Sequence, residues 1–349
     1  MEENKKLYPF KFIPIEDEFP WGKEIHGLAD LGYRDTQVLN GWLSCNSINE
    51  VMDMYVDRVV GEDVFEYFGR QFPVGVKYLD VTGRMPLIVH PDDVVAEQRY
   101  DFLGKAKLWY VLDARPGAQV FVGVKRETPV SDFYSACIDG SADSLLKAYE
   151  PKKGDFYVIE PGVPHSAAGG VKILEIGEAS PLDFCLTNWG EELPEDEFDS
   201  SLNVVEALDF IALKPCAPYV APEGKNRLVS RQEFVVTRLE LPDPVHIIGQ
   251  EAGSFAVYNC VSGEASIQVR AENGEVESVV VAGGDTVLVP AEVDDFFIVP
   301  RQSGTVLLET MVERKPEQDE YIDPDAEPLL PDEGEEFKFN PVYGRFSKN

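Results

Sequence analysis

Two stretches about 130 residues apart follow one pattern, and it constrains the fold more than any other feature of the chain. Gly154-Asp155-Phe156-Tyr157-Val158-Ile159-Glu160-Pro161 and Gly284-Asp285-Thr286-Val287-Leu288-Val289-Pro290-Ala291 each place a Gly-Asp turn before an apolar run that closes on proline. Glycine accepts the left-handed backbone of a tight turn, and proline cannot donate to a strand ladder. Each stretch therefore reads as one hairpin corner of a small barrel. Its use twice predicts two similar β-barrels. Only the first copy runs on to a histidine, His165.

Other strand signals are short and agree with this reading. Gln119 to Val124 and Phe156 to Ile159 are β-rich runs. Ala265, Ile267 and Val269 alternate with Ser266, Gln268 and Arg270, and Asn273-Gly274 then leads into Glu275 to Val281. Asn-Gly between two such runs predicts a hairpin, because both residues tolerate positive φ. Helical signals are fewer: Leu145 to Tyr149, Asp92 to Phe102 with Pro91 near its first turn, and Asn203 to Leu213. An acidic connector spans residues 191–201, and the domain boundary is expected around residues 200–216.

The chain has 349 residues and a formal net charge of −32. That charge argues against nucleic-acid and anionic-membrane partners, which require clustered Lys and Arg. No apolar run is long enough to span a bilayer, and the N-terminus carries no apolar signal region, so a cytoplasmic protein is expected. The five cysteines, Cys45, Cys137, Cys185, Cys216 and Cys260, are widely spaced and form no CxxC pair, and are expected to be buried, reduced thiols. Residues 316–349 hold ten acidic and three basic residues, with Phe337, Phe339, Tyr343 and Phe346 near the end. This acidic tail is expected to dock on the body through its aromatic side chains.

The chemistry-bearing residues are sparse. Of four histidines, His90 ends the run Pro86-Leu87-Ile88-Val89 and His165 ends the first corner. Both lie at strand ends beside a proline, where a barrel opens and side chains can converge on a ligand. Spacing alone leaves open a metal pair or two unrelated histidines. His26 and His246 lack that setting and read as ordinary surface or interface residues.

An ordered set of segments resembles the short bacterial form of the type I mannose-6-phosphate isomerases. These are Phe19-Pro20-Trp21-Gly22, Phe72 to Val81, Val89-His90-Pro91-Asp92-Asp93, Leu103 to Tyr110, Gly154 to His165, and Leu174-Glu175. In the second half, Val261 to Ala265 and Gly284 to Ala291 continue the match. The resemblance implies a mainly β protein of two cupin-like jelly-roll barrels with a few short helices. The expected domains are residues 1–200, a first cupin carrying the site, and residues 201–315, a helix plus a ligand-free second cupin. The tail follows over residues 316–349.

The resemblance also implies a zinc-assisted aldose–ketose isomerisation of a sugar phosphate. His90 and His165 match the two histidine ligands, and Glu175 is a possible addition. Lys105 matches the lysine of Lys-X-Glu and is the expected catalytic residue. Lys77 and Lys107 are the expected substrate-binding residues. Three positions depart from the family. Ile88 stands where a Gln or Lys ligand belongs, Lys107 where a Glu ligand belongs, and Cys185 where an arginine tied to catalysis belongs. Zinc takes three or four N, O or S donors, so two imidazoles alone hold it weakly or not at all. An ammonium at Lys107 would repel a dication or substitute for its charge. Glu175, Glu178 or Cys185 could instead supply a new shell. Three functions follow: a mannose-6-phosphate-isomerase-like enzyme, a non-catalytic relative that binds a sugar or sugar phosphate, or a cupin with a different small-molecule reaction.

Overall fold

Alternation in three strands explains how the chain places charge inside a barrel. Along Val74–Val81, Lys107–Ala114 and Val171–Glu178, even-numbered Val76, Tyr78, Leu108, Tyr110, Leu174 and Ile176 enter one buried cluster. Odd-numbered Leu79, Val81, Trp109, Val111, Val171 and Ile173 enter another. Successive side chains of a strand point to opposite faces, so this central sheet is covered on both sides. Lys77, Lys107 and Glu175 are odd-numbered, and so share the face of Leu79, Trp109 and Ile173.

The computed structural model describes residues 5–190, 203–216, 226–249, 253–271, 274–313, 337–340 and 345–348. Those three strands belong to a six-stranded antiparallel sheet completed by Phe156–Ile159, Gly22–Leu28 and Ile15–Phe19. A five-stranded sheet faces it, in the order Phe184–Thr187, Leu87–Val89, His165–Ala168, Gln119–Val124 and Leu146–Tyr149. Their shared core includes Trp109, Val120, Val122, Ile159 and Ala167. A seven-stranded and a four-stranded sheet build the second barrel, around Tyr258, Ile267, Val287, Phe296 and Leu307. The seven-stranded sheet recruits the N-terminal strand Phe10–Ile13, which pairs with Thr286–Val289, Phe10 lying opposite Leu288.

The back of the six-stranded sheet packs on Val257, Leu288 and Leu308 of the second barrel and on the helix Ile48–Val60. That helix starts with a capping box: Ser47 accepts from the Glu50 amide at 3.1 Å, and Glu50 accepts from the Ser47 amide at 2.8 Å. Met1–Arg314 form one unit and Lys315–Asn349 a second, in which Phe337–Asn340 pairs antiparallel with Arg345–Lys348. No helix of the described residues is long and apolar enough to cross a membrane.

The two barrels and the paired corners agree with the mainly β cupin expectation. Gln119–Val124 and Phe156–Ile159 are strands, and Glu264–Arg270 pairs with Val276–Ala282 as a hairpin whose Gly274 has φ +83°. Asn273, the acidic connector and the tail's aromatic side chains lie outside the described residues.

Three local expectations are corrected. Leu145 to Tyr149 is not a helix: a 3-10 turn over Ala142–Ser144 leads into the strand Leu146–Tyr149. Leu146 is fully buried opposite Val124, so tertiary pairing overrides the local helical signal. The helix expected from Asn203 to Leu213 shrinks to Val204–Ala207. The five cysteines are all free, but only Cys137 and Cys260 are buried, and Cys45 is exposed.

Candidate functional site

The His-Pro-Asp-Asp run builds its own scaffold. Asp92 caps the helix Asp93–Tyr100 by accepting from the Val95 amide at 2.9 Å. Asp93 Oδ1 accepts from the Gly104 amide at 2.8 Å, and the Pro91 carbonyl accepts from the Lys105 amide at 3.1 Å. The His90 carbonyl accepts from Gly162 at 2.7 Å, which ties the corner before His165 to this run. Gly162 has φ +78°, and a Cβ there would lie 2.5 Å from the Phe210 carbonyl oxygen. Only glycine serves this contact. Two segments far apart in sequence thus bring His90, Lys105 and His165 to one end of the first barrel.

The imidazoles meet with their Nε2 atoms 3.2 Å apart. His90 Nδ1 faces two acceptors, the Leu182 carbonyl at 3.0 Å and Asp183 Oδ1 at 2.8 Å. His165 Nδ1 faces the Val163 carbonyl at 2.8 Å. Acceptors at both Nδ1 atoms place the hydrogen there, so each neutral ring turns a lone pair inward from Nε2. Burial, reinforced by the Lys107 charge, lowers His90 to about 4 and His165 well below the usual histidine range. Both rings are therefore neutral at pH 7.

Across the six-stranded sheet, register aligns His26, Lys77, Glu175 and Trp109 in one row. Glu175 Oε2 accepts from Trp109 Nε1 at 2.6 Å and pairs with Lys107 Nζ at 2.9 Å. The Trp109 ring meets His165 edge-on. Burial opposes ionisation of Glu175, but Lys107, Lys77 and Lys105 hold it at about 2. Burial lowers the Lys107 ammonium, while the ionised Glu175 beside it favours the cation. Lys107 is 1% exposed. The next register position holds Gly177 opposite Lys107, and a Cβ at Gly177 would lie 2.6 Å from the Ala106 carbonyl oxygen and 2.7 Å from the Lys107 Cβ. Gly177→Ala is therefore expected to cost about 1–3 kcal/mol by displacing Lys107 and its strand. Urea unfolding checks this, and an unchanged midpoint would count against it.

The outer layer of the cluster is more open. Lys105 Nζ donates to Asp183 Oδ1 at 2.8 Å, on the same oxygen that faces His90. Lys77 pairs with Glu24 at 2.7 Å and lies 3.9 Å from Asp183. Burial disfavours the Asp183 carboxylate, but Lys105, His90 and Lys77 hold it well below the usual range. Its side chain is 37% exposed, the most accessible of this group. Burial likewise opposes charge on Glu24 and Lys77, yet each holds the other ionised.

Every sequence-predicted site residue, His90, His165, Lys77, Lys105, Lys107 and Glu175, falls in this one cluster. Two residues of the cluster had no signal in their local sequence. Asp183 lies in the loop before Phe184–Thr187, two residues before Cys185, at a position the family pattern leaves unspecified. His26, expected as an ordinary surface or interface residue, is buried, 3% exposed, 3.0 Å from Glu24 and close to Arg34 and Asp17. His246 is partly exposed and paired with Asp295, as expected. Cys185 pairs in register with Ile88 on the five-stranded sheet.

The donor set was tested against a divalent metal ion. Among the described residues, no three His, Cys, Asp or Glu side chains stand close enough to share one. The two Nε2 lone pairs supply two donors. Glu175 is already engaged by Trp109 and Lys107, and the Lys107 ammonium adds a positive charge. These residues do not fit a tightly held resident zinc ion.

Two antiparallel barrels packed sheet to sheet, with the ionisable cluster inside the first, have the cupin-type fold. No family model matches the chain. Mannose-6-phosphate isomerase of Streptococcus mutans is 24% identical over 235 residues, 64% of this chain and 72% of that protein. Mannose-6-phosphate isomerase ManA of Bacillus subtilis is 26% identical over 217 residues, 57% of this chain and 68% of that protein. The crystal structure of mannose 6-phosphate isomerase from Bacillus subtilis superposes with a TM-score of 0.74 at 20% identity, covering 87% of this chain and 99% of that one. The apo form from Salmonella typhimurium gives 0.65 at 13% identity, covering 88% and 100%. The chain is similar in sequence to mannose-6-phosphate isomerases and shares the fold of their solved structures.

Proposed function

We propose that the chain acts on a sugar phosphate as a mannose-6-phosphate-isomerase-like protein, interconverting aldose and ketose. The observation that carries this reading is the convergence of Lys77, Lys105 and neutral His90 on one accessible carboxylate, Asp183. Asp183 occupies the position that an anionic or carbonyl oxygen of a ligand would take. A sugar phosphate entering there exchanges with Asp183 on the same donors.

Aldose–ketose isomerisation is redox-neutral overall. A base removes the C2 proton, the C1 carbonyl oxygen takes up negative charge and then a proton, and a cis-enediol forms. Reprotonation at C1 and loss of the O2 proton give the ketose. The lone pairs on Nε2 of His90 and His165 suit the base. Lys105 stabilises the developing oxyanion, Lys77 holds the phosphate, and Lys107 contacts the sugar from within. His90 is held in one tautomer by Asp183 and the Leu182 carbonyl.

The non-catalytic reading has its own support. His90 and His165 are only 1% and 0% exposed, and each lysine of the cluster already has a carboxylate partner. Turnover of mannose 6-phosphate to fructose 6-phosphate, measured beside calorimetric binding of the same compound, separates the two. Lys105→Ala is expected to lower turnover at least about a hundredfold. Binding without turnover leaves the binding reading alone. Neither binding nor turnover removes both.

A further inference from the structure

The deepest part of the cluster presents two lone pairs and one fixed cation. Two imidazole nitrogens bound to one tetrahedral ion at about 2.05 Å would lie about 3.3 Å apart. The His90 and His165 Nε2 atoms are 3.2 Å apart and buried, with both tautomers set by backbone or carboxylate acceptors. They have the geometry of half a metal site. The cation, Lys107, reaches the interior because Gly177 leaves room opposite it, and it is held by Glu175 at 2.9 Å. Glu175 is also anchored by Trp109 at 2.6 Å, so it cannot turn freely toward the imidazoles.

We infer that Lys107, ion-paired to Glu175, supplies the positive charge that a divalent ion would bring, so that this barrel holds no resident metal. The substitution has a chemical consequence. A dication accepts lone pairs from ligand oxygens, whereas an ammonium offers them N–H donors. The interior therefore suits a ligand that places hydroxyl, carbonyl or enediolate oxygens within hydrogen-bond reach of Lys107. The charge of the site also becomes independent of metal supply and of chelators.

The test uses no substrate, so it fails or succeeds separately from the isomerase proposal. Metal-stripped full-length protein is titrated with Co²⁺ and followed by visible absorption, and Zn²⁺ is measured after gel filtration. The wild-type protein is expected to retain no stoichiometric ion. Lys107→Met removes the repelling ammonium and one of the two contacts that hold Glu175 away from His90 and His165. Lys107→Glu adds a second carboxylate. Either is expected to gain a Co²⁺ band and to bind on the order of a hundredfold tighter than wild type, and His165→Ala added to either should abolish the gain. A wild-type protein that holds about one ion, lost in His165→Ala, would overturn the inference. So would the absence of any gain in a Lys107 variant that keeps the wild-type circular dichroism. If neither variant folds, the wild-type titration decides: retention overturns the inference, and no retention supports it.

Discussion

Lys107→Met, measured in the presence of a chelator, is expected to cost about 3–5 kcal/mol of folding stability. The change removes the cation that Glu175 faces at 2.9 Å, and Glu175 is 5% exposed. A carboxylate left without its counter-charge in this barrel must either stay ionised at a large desolvation cost or take up a proton. Lys77 and Lys105 soften the loss, since both also act on Glu175, but neither is its close partner. The double variant Lys107→Met with Glu175→Gln replaces the buried ion pair by neutral groups, and Gln can keep the Trp109 bond. It is expected to recover most of the loss, because a buried pair is costly to break and much less costly to replace. Urea unfolding of the wild type, both single variants and the double gives the cycle. A Lys107→Met protein within about 1 kcal/mol of wild type would show that the pair is not the buried lock described here.

Glu178→Gln is expected to stabilise the protein at pH 8 and to be nearly neutral at pH 4.5. Glu178 ends the strand Val171–Glu178, is 4% exposed, and accepts from the Ala106 amide through Oε2 at 2.6 Å. Its Oε1 is buried without a hydrogen-bond partner among the described residues. Burial, with Asp93 and Glu233 nearby, raises the carboxyl from about 4.5 to about 8. The native state therefore keeps a proton that the unfolded chain releases above about pH 4.5. Stability falls as pH rises from 4.5 to 8, on the order of 2–4 kcal/mol for this one group. Gln retains the acceptor without the charge and escapes that slope. The acids of the lysine cluster act in the opposite sense. Glu175, held at about 2, contributes stability above the usual carboxylate range that is lost as pH falls toward 2. The wild type should thus be most stable near pH 5. Unfolding midpoints of both proteins across this range test the claim, and a constant difference between them would refute the assignment.

The fold was legible where local chemistry and long-range packing agree. The Gly-Asp corners, the hairpin around Gly274 and the strands Gln119–Val124 and Phe156–Ile159 carry their own turn residues and apolar runs. Leu146 to Tyr149 was not legible, because its strand character comes from pairing with residues 120–124. The site divides in the same way. His90, His165, Lys77, Lys105 and Lys107 sit in recognisable segments, and strand parity turns Lys77 and Lys107 inward. Asp183 sits in a loop whose neighbours, Pro181 and Cys185, match nothing, so only the folded chain brings it to His90. His26 gains its role from a register neighbour, Lys77, fifty-one positions away in sequence. A buried ion-pair network can be recognised from register once strand pairing is known, but not from runs of adjacent residues.

The strand Phe10–Ile13 is made early, and one of its two pairings forms late. Its late partner, Thr286–Val289, belongs to the second barrel. At roughly 5–20 residues per second, a ribosome takes on the order of tens of seconds to travel between them. Through that interval Phe12 already faces Val38, while Phe10 waits for Leu288. The seven-stranded sheet of the second barrel is not complete without residues 10–13. Assembly is therefore closed by residues 10–13, like a clasp returned to an early link, and any separate expression of the second barrel must carry them.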